Sequence, residues 1–168
     1  MNNTWLKNSI SFVVLVLIQA LIFNHIDFLG YINPMIYLLF IIQAPYKPNR
    51  TPFLLASFLM GLSIDIFSDT GGIHAASSVF VAYIRTFALT VAFGKNFEYQ
   101  PLKLSNHPFG KVFTYVSILI ITHHTLFYFL EIFNFNHLLT TFVKAVLASI
   151  ISIIVCLSAL YLFSSKKL

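Results

Sequence analysis

Charge is scarce in this chain: Lys, Arg, Asp and Glu make 9% of its 168 residues, and only five of them are acidic. So small a polar complement cannot cover a globule in which 58% of the residues are hydrophobic, which excludes a soluble domain of this length. Cysteine is reduced to Cys156, inside a late apolar run, and that excludes an internal disulfide and a cysteine-rich metal site. Also missing are a glycine-rich phosphate loop, a nucleophile elbow and a pair of metal-spaced histidines on one helix. Enzymatic chemistry therefore has no visible anchor, and the expectation is a non-enzymatic protein without catalytic residues, cofactor or metal. What is present is a series of long apolar runs, with 19 Phe among them. A bilayer removes the need to cover such runs with polar surface. The chain reads as an all-α, polytopic integral membrane protein forming a single domain over residues 1–168.

At 1.5 Å rise per residue, about 20 residues cross a hydrocarbon core of about 30 Å, so the chain has room for about six spans. The apolar runs predict spans at about 8–24, 31–44, 52–68, 73–94, 111–133 and 138–163, packed as a compact bundle. The first has no small-residue cleavage site near Ala20 and is expected to be a retained helix. The second opens at Asn33-Pro34 and stops at Ala44-Pro45, so it is short or borrows from Phe28 to Ile32. Spans three and four are joined by the turn Asp69 to Gly72, and spans five and six by Asn134 to Asn136. Short turns favour antiparallel neighbours. With six spans, Lys7, Lys47, Arg50, Lys95, Lys103, Lys111, Lys166 and Lys167 all fall on one side, and the opposite loops hold no Lys or Arg. Cytoplasmic loops carry the positive excess, so both termini are expected in the cytosol. The net charge of +5 then follows from topology and contact with anionic lipid heads, without nucleic acid.

Inside spans, polar residues mark seams or sites. An acid in hydrocarbon costs roughly 2.5–3.5 kcal/mol on insertion scales, so Asp65 is expected to face the bundle interior, a cavity or a partner. Ser57, Gly61, Asp65 and Ser68 recur at helical spacing, as do Ala75, Ser78, Ala82 and Arg85, and Thr141, Ala145, Ala148, Ser152, Cys156 and Ala159. Small and polar residues at this spacing let helices approach and bond across. Across the hairpin Asp65 meets His74 and the Gly71-Gly72 backbone as expected donors, and a structural latch is favoured over proton carriage or partner binding. Arg85 lies about 20 Å below that turn by helix rise, which leaves it the inner head groups or a partner inside the bundle. The fifth span carries a polar face of Thr114, Ser117, His124, Tyr128 and Glu131. A self-satisfied seam is the reading preferred for it, with a transport path as the sharper alternative. Glu131 and Lys144 flank the last hairpin and are candidates to pair across it. His123 and His124 diverge by about 100° on a helix, and no acid or cysteine stands at chelating spacing, so a metal site is not expected.

Pro45 with Tyr46-Lys47-Pro48-Asn49, then Gly61-Leu62-Ser63-Ile64-Asp65, Gly72-Ile73-His74-Ala75 and Ala82-Tyr83 together resemble MreD, the small membrane subunit of the bacterial rod-shape and wall-elongation system. The resemblance covers roughly residues 34–85; elsewhere it rests on length, span count and short loops. The family has a second glycine where this chain has Asp69, and a turn one residue longer. The resemblance implies a multi-pass protein of the bacterial inner (plasma) membrane. It would bind MreC and act with MreB, RodA and a class B penicillin-binding protein to direct peptidoglycan synthesis. Gly61, Asp65, Gly72, His74, Arg85, His124, Glu131 and Lys144 are the candidate packing or partner-contact residues. Similar span count and compactness mark the substrate-binding membrane subunits of vitamin-type uptake systems. Under that second reading Arg85 and the polar face of the fifth span line a pocket for a small anion.

Overall fold

The computed structural model describes residues 2–26, 32–45, 49–94, 104–132 and 138–163. Its helices are α1 (Asn2–Leu21), α2 (Leu39–Ile42), α3 (Arg50–Ser68), α4 (Ile73–Phe93), α5 (Phe109–Ile132) and α6 (Leu138–Leu162). Short 3-10 turns precede or follow them at Phe23–His25, Ile36–Leu38 and Leu104–Asn106. No strand occurs among the described residues. Five helices are long and apolar enough to cross a membrane; α2 is not one of them.

Helices α3, α4, α5 and α6 pack each on the next, and α1 lies against α3. The surface is inverted relative to a soluble protein. Ile66 (74% exposed), Phe87 (67%) and Ile154 (60%) point outward, while Gln19, Asp65, His74, Arg85, His123, His124 and Ser152 are all buried. An apolar exterior around a polar interior suits hydrocarbon surroundings and agrees with five helices apolar enough to cross a membrane.

The predicted second span, 31–44, needs correction. Among its described residues the helical part is Ile36–Ile42, a 3-10 turn running into one α-turn. Seven residues at 1.5–2.0 Å rise reach about 10–14 Å, well short of about 30 Å. Yet the chain here passes along the whole bundle. Before it, Asn24 Nδ2 donates to Ser68 Oγ at the far end of α3 (2.8 Å); after it, α3 begins at Arg50. The passage is therefore a broken helix, non-helical at Met35 (φ −104, ψ 82) and bounded by Pro34 and Pro45. It is covered by its neighbours, and Ile32 and Met35 to Leu39 are all buried. Non-helical backbone at membrane depth survives only where protein surrounds it.

The loop lysines behind the expected orientation, Lys47, Lys95, Lys103, Lys166 and Lys167, lie outside the described residues, as does the turn Asn134 to Asn136.

Candidate functional site

The joint between α3 and α4 is built from the turn outward. Gly71 (φ +62) and Gly72 (φ +96) take left-handed backbone, and so does Asp69 (φ 53), where a side chain is tolerated best if it is Asn or Asp. That folds α4 back so that its N-terminus faces α3. Asp65 then accepts from His74 N (3.0 Å), Ala75 N (2.9 Å) and Thr70 Oγ1 (2.5 Å). A carboxylate on the free amides of a helix N-terminus is favourable by both hydrogen bonding and dipole. The donors are thus the amides one and two residues inside α4, and Gly71-Gly72 contribute the bend. Gly61 lies one turn earlier on the same face. A Cβ there would sit 2.5 Å from the His74 carbonyl oxygen and 2.6 Å from Ala75 Cα, so the two backbones touch.

The broken segment is held at both ends by side chains. At its start Gln19 of α1 does double duty: Nε2 donates to Pro34 O (3.0 Å) and to Asn24 Oδ1 (2.9 Å), and Oε1 accepts from Ile36 N (2.8 Å). Met35 N donates to Ser152 Oγ of α6 (3.0 Å), and the Cys156 thiol points to Met35 O (3.8 Å). At its finish Arg85 gives Nη1 to Pro45 O (3.0 Å), Nη2 to Ala44 O and Nε to Tyr115 Oη (2.8 Å), and Tyr115 donates to Ile42 O (3.1 Å). A cation on the last carbonyls of a helical segment also complements its dipole. Arg85, 2% exposed, is thus a buried backbone clamp resting beside the Phe53 ring (5.6 Å).

Between the two ends runs a chain of rings. Tyr37 Oη lies 3.0 Å from His74 Nδ1 and 2.8 Å from His123 Nε2, and all three side chains are buried. His124 Nδ1 donates to Ile120 O (2.9 Å), which leaves Nε2 to accept from the Ser152 hydroxyl (3.1 Å). Among the described residues His123 Nδ1 is sealed without a partner, as are the hydroxyls of Ser77 and Ser117. With neutral rings, an unmatched lone pair at Nδ1 is less costly than an unmatched N–H. That network assigns the proton of His123 to Nε2, which donates to Tyr37, and Tyr37 donates to His74 Nδ1. His74 then presents Nε2–H on its far side.

On that side is a cavity of about 410 Å³ at the turn end of the bundle. Met35, Phe67 and Phe127 give it apolar wall; Gln19, Asn24, His74, Tyr128, Glu131 and Lys144 give it polar wall. Glu131 and Lys144 line it together. Arg85 does not reach it.

The eight candidate residues thus fall in four places. Gly61, Asp65, Gly72 and His74 meet at the joint; Arg85 stands at the opposite end; Glu131 and Lys144 share the cavity, while His124 braces Ser152. Gln19, Tyr37 and Tyr115 are side chains of these networks that sequence reading passed over, and His123 was weighed there only as a metal ligand. Only Gln19 carried a usable signal, as a lone amide in an otherwise apolar span. Among the described residues no group of three or more His, Cys, Asp or Glu is set to hold a metal. Comparison with protein-family models, curated proteins and solved structures finds no match to this chain.

Proposed function

We propose that this protein is a non-enzymatic membrane scaffold of the MreD kind, which positions a partner by helix contacts and carries out no chemistry. The observation that supports it is the α3–α4 joint. The residues behind the resemblance, Gly61, Asp65, Gly72 and His74, close one rigid hairpin in which Asp65 is spent on amides of α4. A clamped hairpin with an apolar outer face is what a subunit needs to present a fixed surface to a neighbour's membrane segment. The partner under this reading is MreC, with MreB, RodA and a class B penicillin-binding protein in the wider complex, at the bacterial inner membrane.

The test is purification of the tagged chain from its native membrane in mild detergent, with bound proteins and small molecules identified by mass spectrometry. Recovery of a single-span, wall-synthesis-associated partner in stoichiometric amount is the expected outcome. Recovery of an ATPase module with a metabolite, and no such partner, would overturn it. The uptake-subunit reading stays as the second proposal, because the cavity of about 410 Å³ is large enough for a small ligand.

A further inference from the structure

Two deeply buried side chains turn unmatched polar atoms toward the cavity. Tyr128 is 6% exposed and His74 5%. Among the described residues the Tyr128 hydroxyl makes no hydrogen bond. His74 has Nδ1 engaged by Tyr37 and Nε2 unmatched, and neither atom is sealed. Both atoms are open to the cavity, so the floor offers two hydrogen-bonding points to whatever fills it. Above the floor the walls carry opposite charges: Glu131, exposed at the mouth, and Lys144, half-buried. Phe127, its ring centroid 4.4 Å from that of His74, provides an apolar side.

We propose that this cavity is a binding site for a small zwitterion, with its ammonium at Glu131, its anionic oxygens at Lys144 and a polar atom of its body at Tyr128 and His74. A ligand of single charge would set one wall against a like charge, and an apolar one would strip water from the polar wall without replacing it. A volume of about 410 Å³ lies toward the small end of ligand pockets. This chemistry has two sources, a free amino-acid-like molecule or the head group of a phosphoethanolamine lipid. The site bears on the rest of the molecule through His74, whose ring reaches Tyr37 of the broken segment and whose amide meets Asp65. The inference goes beyond the scaffold proposal and stands or falls separately from it.

The test measures thermal unfolding of the full chain in mild detergent against glycerophosphoethanolamine and against free α-amino acids. The same measurement is made in nanodiscs of phosphatidylethanolamine or phosphatidylglycerol. The expected result is a saturable rise in Tm, with apparent affinity falling about tenfold in Glu131→Gln and in Lys144→Gln and severalfold in Tyr128→Phe. Thr114→Val, whose hydroxyl bonds Gly110 O elsewhere on α5, should bind as the parent does. A shift with the soluble probes assigns a free ligand; one with phosphatidylethanolamine alone assigns the lipid. No saturable shift with any probe, equal binding of anionic glycerophosphoglycerol, or a shift unchanged in both charge variants would overturn the proposal. Because Glu131 is exposed, its variant should remain folded, and partner recovery from that variant reports on the scaffold reading independently.

Discussion

Asp65 accepts three hydrogen bonds, two of them from the first turn of the neighbouring helix, so its loss unfastens α4 from α3. Asp65→Leu should still insert, since the change makes α3 more apolar, but lose about 0.5–2 kcal/mol of capping and fail to recover its partner. Normal Tm and normal partner recovery would sink the latch. Gly61→Ala tests the same joint by volume. A methyl 2.5 Å from the His74 carbonyl oxygen must push backbone rather than a pliant side chain, and overpacking of this kind costs about 1–3 kcal/mol. A lowered melting temperature in detergent is the expected reading. Asp69→Gly should do the opposite, holding or raising stability, because glycine adopts the φ of 53 at no steric cost. Most of this joint was legible in advance. A carboxylate in an apolar run, four residues from a glycine and just before a Gly-Gly turn, has few places to go. Which amides it would take was not legible, because that depends on the turn's backbone angles.

At the scale of elements, the broken segment is the least self-sufficient part of the chain. Seven helical residues cannot supply their own terminal partners, so Gln19, Ser152, Tyr115 and Arg85, from four different helices, supply them. Gln19→Leu leaves the Pro34 carbonyl and the Ile36 amide unmatched, each at about 1–3 kcal/mol. Its expected signature is faster hydrogen exchange at Tyr37 to Ile42 with little change in the α5–α6 hairpin. Uniformly faster exchange throughout would instead mean that the segment has no local stability of its own. Arg85→Met should act at the other end, releasing Ala44 and Pro45. The short interval between two prolines was visible in sequence; the side chains that make so short an interval viable were not. Each of them is separated from its partner by at least 15 residues, and residue spacing along the chain says nothing of such contacts.

For the whole molecule, composition and apolar periodicity were enough to indicate an all-helical chain with helices apolar enough to cross a membrane, because 9% charged residues leave little to cover 58% hydrophobic ones. They also located five long helices to within a few residues, since a span's length is imposed by bilayer thickness. Orientation is open to a direct check under the proposed topology. In sealed cells, cysteines at Asn49 and Asn106 should be protected from an impermeant reagent added outside, and one at Asn136 should react. Labelling at the first two would reverse or break the topology. The broken form of the short passage, the clamp role of Arg85, the Tyr37–His74–His123 chain and the cavity all came from tertiary structure. The reason is physical: hydrophobicity is a property of each residue and sums along the chain, whereas a hydrogen bond needs a partner at about 3 Å, and only the packing of distant helices brings one there.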